Sequence, residues 1–476
     1  MESLDFNALV PLIILALAPV VSLITVSIHR NHQLIFILAV ACILIFMVSL
    51  VYAWSNYQMA SIIADQLVID KFSLFYLILL GTASLVLLLI SYPYLQQHTE
   101  VSEEYYLLFQ TSVFGAAILV CSVHFATLFL GLEILSISLY TMIAYTRQWQ
   151  HSLEGGLKYL ILAAASSAFL LFGMALIYIE TGQLSFSGLS GSVHTMGVLS
   201  TAGVAMMLVG VGFKLALVPF HTWTPDIYQG APAPVSALIA SISKGSVVAV
   251  LIRFIAATQS QQLDWFVWVL SFMAVASMLA GSILALQQRN LKRLLAYSSI
   301  AHLGYILIAI IAATDLSTEA VTFYLVAYFI AIIGAFGTLS VFSSEGEIEE
   351  IQDLQGMFWT RPLVSMVFSI MFFSMVGIPL TAGFMGKFYV VLAAVDTGLW
   401  FLALMLIISS IIGLYYYLRV IKTMLSPVEQ ASVKTANGKI SRMGFATVAI
   451  LGILVILFGV VPSQLIAMIR SIGAGF

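Results

Sequence analysis

Long apolar runs separated by short polar segments make up almost the whole chain. A helix needs about 20 mainly apolar residues to cross the hydrocarbon core of a bilayer. The pattern therefore predicts an all-α, polytopic membrane protein with about fourteen transmembrane helices. Residues 220–232 are too polar and proline-rich to span, and we predict an irregular continuation of the seventh helix there. The predicted spans are 8–28, 34–54, 72–92, 106–122, 125–145, 157–179, 199–219, 233–257, 265–285, 293–314, 321–342, 363–393, 399–421 and 443–463.

A lysine and a proline interrupt the seventh span. Lys214 lies within an apolar run and is followed by Pro219, which lacks the N–H that would bond the carbonyl of Leu215. A buried cation and freed backbone groups are tolerated in a membrane only where protein or water surrounds them. We therefore predict a broken helix beside a hydrated pocket, as an ion or proton path requires. The alternative is a kinked helix whose lysine extends to the headgroup region.

The twelfth span combines the same residue types. Gly377 and Pro379 precede Lys387 there, whereas Lys214 precedes Pro219 five spans earlier. Because five is an odd offset, the second copy enters the membrane from the other side, which predicts two inverted five-helix repeats, spans 4–8 and 9–13, with broken helices 7 and 12. The predicted organisation is an N-terminal three-helix segment (1–104), a first repeat (105–258), a second repeat (259–424), and a polar loop with a C-terminal helix (425–476).

Composition supports a membrane protein and limits its chemistry. The chain is 62% hydrophobic and 8% charged, against roughly 45–50% apolar and 25% charged residues in soluble domains. Arg30, rather than a small-residue cleavage site, follows the first apolar run, so we interpret that run as a retained span. Cys42 and Cys121 both lie in apolar runs and cannot form an iron–sulfur or zinc site alone, which predicts that any redox centre lies on another subunit. We find no phosphate-binding loop, dinucleotide fingerprint or basic nucleic-acid face.

The basic residues predict an orientation, because cytoplasmic loops carry an excess of lysine and arginine. The loops after odd-numbered spans hold eleven of the 18 basic residues, and the opposite loops hold three, namely Lys71, Arg253 and Arg470. Both termini are therefore predicted on the periplasmic side. The acidic loop Glu345, Glu347, Glu349, Glu350 and Asp353 is interpreted as a solvated loop or a partner contact. The eleven residues are Arg30, Arg147, Arg289, Lys292, Arg293, Arg361, Arg419, Lys422, Lys434, Lys439 and Arg442.

A glutamate and four lysines lie within predicted spans. Glu133 is in the middle of the fifth span, and a buried carboxylate is strongly disfavoured unless it is paired or protonated. We predict that it pairs with Lys214, and that opening the pair switches the lysine between holding and releasing a proton. The alternative is a static ion pair that fixes helix packing. The four lysines are Lys158, Lys214, Lys244 and Lys387.

The remaining candidates would extend the path along the membrane. Small residues surround Lys244, which favours a central proton relay, and Lys387 is predicted as the exit group. His302 is the histidine well inside a span, where it is either a relay or a core histidine bonded to a carbonyl. His221, just past Pro219, has functional and structural interpretations of equal weight. Lys158 is near a span end, so extension to the interface is a serious alternative.

Three stretches carry a resemblance to a known family: Gly212 to Pro232, Tyr297 to Tyr305, and Gly377 to Phe388. They resemble the subunit-N family of proton-pumping NADH–quinone oxidoreductase, respiratory complex I, over essentially the whole chain. The resemblance implies an antiporter-type proton channel driven by quinone reduction in neighbouring subunits. It also implies that no cofactor is bound here, with NADH, FMN, iron–sulfur clusters and quinone on partner subunits, and that subunits M and K are neighbours. The first spans, which the mitochondrial relative lacks, favour a bacterial inner-membrane protein.

Carried over residue by residue, the family pattern matches the candidates above. Its fifth-span glutamate corresponds to Glu133, its seventh-span lysine to Lys214 and its eighth-span lysine to Lys244. The twelfth-span lysine corresponds to Lys387, where the sister subunit M carries a glutamate. Three alternatives remain open at the level of sequence. They are a subunit of a multisubunit sodium/proton antiporter, a passive scaffold that holds neighbouring subunits, and a plastoquinone-linked photosynthetic relative with a different electron donor.

Overall fold

The computed structural model describes residues 6–99, 102–146, 149–189, 197–343, 348–427 and 440–472. Over these ranges the chain is helical, apart from one antiparallel hairpin and the connecting segments. In the hairpin Ser61 is opposite Ile69 and Ile63 is opposite Leu67. The strands are β1 (Ser61–Ile63) and β2 (Leu67–Ile69), and the helices are α1 (Phe6–Ile28), α2 (His32–Ser55), α3 (Lys71–His98), α4 (Glu103–Cys121), α5 (Phe125–Ile143), α6 (Gln150–Thr181), α7 (Val198–Leu215), α8 (Trp223–Gly230), α9 (Ala233–Leu238), α10 (Lys244–Thr258), α11 (Asp264–Leu286), α12 (Leu291–Ala312), α13 (Asp315–Phe342), α14 (Met357–Thr360), α15 (Pro362–Val376), α16 (Ala382–Asp396), α17 (Trp400–Leu425), α18 (Arg442–Val460) and α19 (Ser463–Arg470).

The chain is a multi-pass membrane protein. Thirteen helices in the described ranges are long and apolar enough to cross a bilayer. One of them, Ala233–Thr258, is continuous through α9 and α10, which a π-helical segment at Ile239–Ser243 joins. The predicted twelfth span, 363–393, is divided into two helices of 15 residues each, α15 and α16. Each is too short to span the hydrocarbon core alone, so the two halves share one crossing.

Helix α7 ends well before Pro219. Ala216 takes a left-handed conformation (φ 58°), and its N–H bonds the carbonyl oxygen of Phe213 at 2.9 Å. The next N–H, of Leu217, reaches back to the carbonyl oxygen of Gly212 at 2.8 Å. These two bonds satisfy carbonyls that the end of a helix leaves free, in the pattern of a Schellman cap. The indole N–H of Trp223 adds a third bond, to Phe213 at 3.0 Å.

Helix α15 ends with the same cap. Gly377 is left-handed (φ 86°), and its N–H bonds the carbonyl oxygen of Ser374 at 3.0 Å. The N–H of Ile378 then bonds the carbonyl oxygen of Phe373, also at 3.0 Å. Helices 7 and 12 are therefore broken as predicted, and their first halves end alike. The inverted repeat and its domain bounds stay predictions.

The prediction of an irregular segment at 220–232 was wrong, because α8 occupies most of it. Its prolines do not oppose helix formation where they stand. Pro225 is the third residue of α8, and Pro232 is the N-cap residue of α9. The first N–H groups of a helix have no partner within the helix, so a proline there loses no hydrogen bond.

The helices are arranged around a buried centre. Almost every residue of Ala233–Thr258, α12 and α13 is buried, whereas α1, α2 and α6 expose many of their apolar side chains. Apolar side chains on outer helices are expected where the neighbours are lipid or other membrane subunits. The buried centre is therefore the region in which polar groups can be kept away from lipid.

An ion pair joins α3 to this centre. Asp70 caps the N-terminus of α3 and accepts two hydrogen bonds from Arg253 of α10, at 2.8 and 3.0 Å. The guanidinium also lies over the ring of Phe72, with its central carbon 4.9 Å from the ring centroid. This bidentate geometry fixes both side chains more firmly than a single contact would.

Three basic residues used to predict the orientation and two residues of the acidic loop lie outside the described ranges, namely Arg147, Lys434, Lys439, Glu345 and Glu347. Several of the other basic residues lie in helices and not in loops: Lys292 and Arg293 in the first turn of α12, Arg419 and Lys422 in α17, Arg442 at the start of α18, and Lys71, Arg253 and Arg470 in α3, α10 and α19. Lys292 is almost fully buried. The sidedness of the termini stays a prediction.

Candidate functional site

Lys214 lies in the last turn of α7, directly before the break. Its side chain is buried, and Nζ donates a hydrogen bond to the hydroxyl of Ser136 on α5 at 2.5 Å. The rings of Tyr159 and Phe213 lie on other sides, with centroids 5.6 and 5.9 Å from Nζ. A cation near the C-terminus of a helix is stabilised by the helix dipole, and the aromatic faces add further attraction.

The predicted direct ion pair between Glu133 and Lys214 is not formed in this structure. Glu133 instead accepts a hydrogen bond from the hydroxyl of Ser167 on α6, at 2.5 Å. Ser136 and Glu133 are three residues apart and share one face of α5. Because Lys214 binds the serine, each charged group has its own hydroxyl partner. The two remain near neighbours on adjoining helices, with Ser136 at the junction.

Lys244 lies at the start of α10, directly after the π-helical segment. It is 1% exposed, and its Nζ donates to the hydroxyl of Ser299 on α12 at 2.7 Å. That hydroxyl is also 2.7 Å from the phenol oxygen of Tyr328 on α13. The ring of Tyr228 lies 5.5 Å from Nζ on the other side. Local π turns inside helices frequently mark functional sites, because they shift the side chains that follow.

His302 occupies the centre of a tyrosine cluster. Its Nδ1 is 2.6 Å from the hydroxyl of Tyr324, and its Nε2 is 3.5 Å from that of Tyr417. The rings of Tyr305 and Tyr328 each have centroids 5.4 Å from the imidazole centroid. Both ring nitrogens thus face hydroxyl groups. The alternative of a histidine bonded to a backbone carbonyl is not what the structure shows.

Lys387 lies on α16 but reaches back to the preceding half-helix. Its Nζ donates to the carbonyl oxygen of Val376, the last residue of α15, and to the hydroxyl of Ser410 on α17, both at 2.8 Å. The ring of Tyr305 lies 4.9 Å from Nζ. Lys387 is therefore connected to His302 through Tyr305, which contacts both.

Three of the predicted residues are thus brought together by one set of hydroxyls and rings. Lys244 is linked to His302 through Ser299 and Tyr328, and Lys387 is linked to His302 through Tyr305. Lys214 lies apart from this cluster, with its own partner on α5. A lysine can exchange its proton with such neutral donors and acceptors, whereas an arginine keeps its proton.

Lys158 is not part of this arrangement. Its side chain is 43% exposed and lies within ion-pair distance of two carboxylates, Glu154 at 2.8 Å and Asp226 at 2.9 Å. It lines a polar cavity of about 200 Å³ whose other residues are His151, Glu154, Gly155, Asp226, Gln229 and Arg293. Lys158 is therefore held by carboxylates at the edge of this cavity, and its place in the path stays a prediction.

Asp226 is the centre of that cavity. It also accepts a hydrogen bond from Arg293 at 2.6 Å. Partial burial alone would raise the pKa of the Asp226 carboxyl, but the hydrogen bonds from Lys158 and Arg293 and their charges lower it below its usual value. Asp226 is therefore expected to stay ionised at neutral pH.

His221 lies on the link between α7 and α8 and is partly buried. Its Nδ1 has no hydrogen-bond partner among the residues that the structure describes. It stands at the broken helix, where it was predicted. Its role in proton transfer stays a prediction.

The sequence did not identify the neutral partners. A serine hydroxyl binds each of the three path lysines, namely Ser136, Ser299 and Ser410. Tyr324 bonds His302, and Tyr328 bonds Ser299. Serines in apolar helices commonly bond a carbonyl of their own helix, as Ser246 does at 2.9 Å. Their sequence signal is therefore the same whether or not they contact a functional group.

The fold and the site define a class: polytopic helical membrane proteins with buried lysines at helix breaks. Residues 122–413 match the NADH:quinone oxidoreductase/Mrp antiporter transmembrane family, and the chain belongs to this family. A relative from Acinetobacter baumannii, named NADH-quinone oxidoreductase subunit N, is 42% identical over 98% of this chain and 95% of its own length.

Two solved structures share the fold. A chain of respiratory complex I from Thermus thermophilus with bound aureothin aligns with a TM-score of 0.82 at 28% identity, over 96% of this chain and 98% of that one. A chain of the Mrp complex from Dietzia aligns with a TM-score of 0.88 at 19% identity, over 98% of this chain and 97% of that one. The second likeness is one of fold alone.

Proposed function

We propose that this chain is a proton-translocating membrane subunit, of the subunit-N type, of NADH–quinone oxidoreductase. The observation that carries the proposal is the set of buried lysines, Lys214, Lys244 and Lys387, each hydrogen-bonded to a serine hydroxyl at or near an irregularity in a helix. Buried charges in a membrane are expensive and mark ion or proton paths. The relatives that carry the subunit-N name support the particular complex.

In this proposal protons pass between the lysines through hydroxyl and imidazole groups. Ser299 and Tyr328 continue from Lys244, and Tyr305 and His302 lie between it and Lys387. Glu133 and Lys214 act together through their opposite charges, so a change in the charge of one alters the proton affinity of the other. His221 is an additional candidate at the break. Lys158 is a further candidate, and the alternative for it is a contact at the membrane interface.

The driving reaction takes place elsewhere in the complex. We propose that NADH, FMN, iron–sulfur clusters and quinone are bound by partner subunits and that no cofactor binds this chain. Subunits M and K are the proposed neighbours. The proposed location is a bacterial inner membrane, with both termini on the periplasmic side, as the distribution of basic residues favours.

A subunit of a sodium/proton antiporter is not favoured. The subunit-N relative shares 42% of its residues with this chain, whereas the Mrp chain shares 19%. The scaffold alternative predicts that the lysines can be removed without consequence for proton movement. A scaffold also gives no role to several buried cations, which are energetically costly in a membrane.

The experiment compares Lys214→Ala and Glu133→Ala in inverted membrane vesicles that contain the whole complex. NADH–quinone electron transfer and proton uptake are measured, and assembly is checked on native gels. Both variants are expected to assemble and to lose proton uptake. Lys422→Ala is the matched control, since Lys422 is an exposed lysine at the end of α17. Unchanged proton uptake in assembled Lys214→Ala would favour the scaffold.

A further inference from the structure

Helix α8 is held by side chains from the two helices on either side of it. Asp226, in its first turn, binds Lys158 of α6 at 2.9 Å through one carboxylate oxygen and Arg293 of α12 at 2.6 Å through the other. Arg293 also donates to the side chain of Gln229 at 3.1 Å. Lys292, beside it, donates to the carbonyl oxygen of Ala231 at 3.0 Å. Both ends of the short helix are thus attached to the first turn of α12.

The two helices joined in this way carry different parts of the proposed path. α8 follows the break after Lys214, and Trp223 in its first turn bonds the carbonyl of Phe213 in the last turn of α7. α12 carries Ser299, the partner of Lys244, and His302. The contacts of α8 therefore link the first turn of α12 to the end of α7.

Each partner of Asp226 also contacts another residue. Lys158 also pairs with Glu154 at 2.8 Å, and Arg293 also contacts Gln288 at 3.2 Å and Gln229. Either contact with Asp226 can therefore open without leaving an unpartnered cation. These second contacts are made at the same time as those with Asp226, so they remain if a contact with Asp226 opens. Pairs as exposed as these contribute little to stability, so opening one of them costs little and allows α8 to move relative to α12.

We infer that Asp226 is a positioning residue that holds α8 against α12, so that the break beside Lys214 and the helix bearing His302 change position together during proton transfer. The inference rests on the proposed function, because it concerns coupling between two parts of one path. Asp226 itself lies in the polar cavity, and its described hydrogen bonds go to Lys158 and Arg293 and not to Lys214, Lys244 or Lys387.

The test uses the whole complex in vesicles and measures the ratio of protons moved to electrons transferred. Asp226→Asn and Arg293→Gln are each expected to assemble, to retain electron transfer, and to lose the same share of that ratio as Lys214→Ala loses. The double variant is expected to fall no further than either single one, because both remove one contact. Asp226→Glu is expected to restore the ratio. A merely structural role would instead lower assembled complex and scale both activities together.

The matched control is Glu319→Gln, which breaks an ion pair of similar kind, to Arg470 at 3.0 Å, at a distance from α8. If Asp226→Asn fails to assemble, Arg293→Gln decides the question, since it leaves the pair between Lys158 and Asp226 in place. An unchanged ratio in the assembled variants, with a lowered ratio in Lys214→Ala, overturns the inference and leaves the proposed function standing. An unchanged ratio in Lys214→Ala as well overturns both.

Discussion

The ammonium of Lys387 lies 2.8 Å from the carbonyl oxygen of Val376, the last residue of the half-helix that precedes its own. Lys214 occupies the corresponding end of α7 from within that helix. Two lysines that differ in their sequence position relative to the proline thus place a cation at the C-terminal end of a broken half-helix. Helix dipoles favour a cation there, which explains how one electrostatic requirement is met by two different sequences.

Lys387→Arg separates this structural role from proton transfer. The arginine keeps a positive charge near the Val376 carbonyl but does not release its proton at physiological pH. We expect assembly and thermal stability close to those of the parent complex, with proton uptake lost. Lys387→Met is expected to lose uptake and also about 1 kcal/mol of stability. Proton uptake at the parent level in Lys387→Arg would contradict a proton-carrying role for Lys387.

Gly377→Ala tests the geometry of the second break. A Cβ at this left-handed position would lie 3.0 Å from Cδ of Lys387, so the lysine has to move. The left-handed backbone costs an alanine about 1–2 kcal/mol. We expect lower thermal stability together with reduced proton uptake.

Gly398→Ala is the control for that experiment. Gly398 is also left-handed (φ 75°), but a Cβ there meets nothing within 4 Å. It carries the same backbone strain without displacing Lys387. We therefore expect reduced stability and unchanged proton uptake, and equal uptake in the two variants would contradict the importance of the Lys387 position.

Ser299→Ala removes the hydroxyl that joins Lys244 to Tyr328. It leaves a buried ammonium without that partner, at a cost of about 1–3 kcal/mol. We expect proton uptake to fall in an assembled complex, and Lys244→Met to abolish it. Ser246→Ala is the control, because the Ser246 hydroxyl is equally buried but bonds the carbonyl of Ser243. Uptake that is equally affected by both serine variants would argue against a specific role for Ser299.

Acid is expected to weaken the attachment of α3 to α10. Burial alone would raise the pKa of the Asp70 carboxyl. The hydrogen bonds and positive charge of Arg253, together with the hydrogen bonds of Ser73, hold that pKa below its usual value. The stability from this pair is therefore complete above the unfolded pKa of about 3.9 and is lost as the pH falls through the folded pKa.

Thermal unfolding of the detergent-solubilised complex at several pH values tests this pair. Asp70→Asn is expected to cost roughly 1–3 kcal/mol at pH 7, between the values for exposed and buried pairs. The difference from the parent should shrink below about pH 4. Asp65→Asn, an exposed aspartate in the hairpin turn, is expected to change little. A difference that persists unchanged in acid would exclude ionisation of Asp70 as the cause.

The sequence was most informative where it departs from a plain apolar helix. Lysines within apolar runs are visible directly, so Lys214, Lys244 and Lys387 were found together with both breaks. The break after α7 was predicted from Pro219, yet the helix ends earlier, because Ala216 adopts the left-handed conformation of a helix cap. A proline predicts that a helix is interrupted, but it does not predict at which residue the helix ends.

Other features depend on distances that one sequence does not contain. The direct pairing of Glu133 with Lys214 followed from charge alone, and the structure places serines beside both groups. Asp226 lies within the stretch Gly212 to Pro232 that carries the family resemblance, but its hydrogen bond with Arg293 joins residues 67 positions apart. Such contacts are set by how helices pack, and no local pattern encodes them.

The nearly complete burial of α12 and α13 has a consequence for leakage. A route that carries protons through a membrane dissipates the gradient if water or lipid headgroups reach it from the side. The outer helices separate the tyrosine and histidine cluster from lipid. Substitutions that disturb the packing of these outer helices are therefore expected to cause passive proton leak first, with electron transfer still intact.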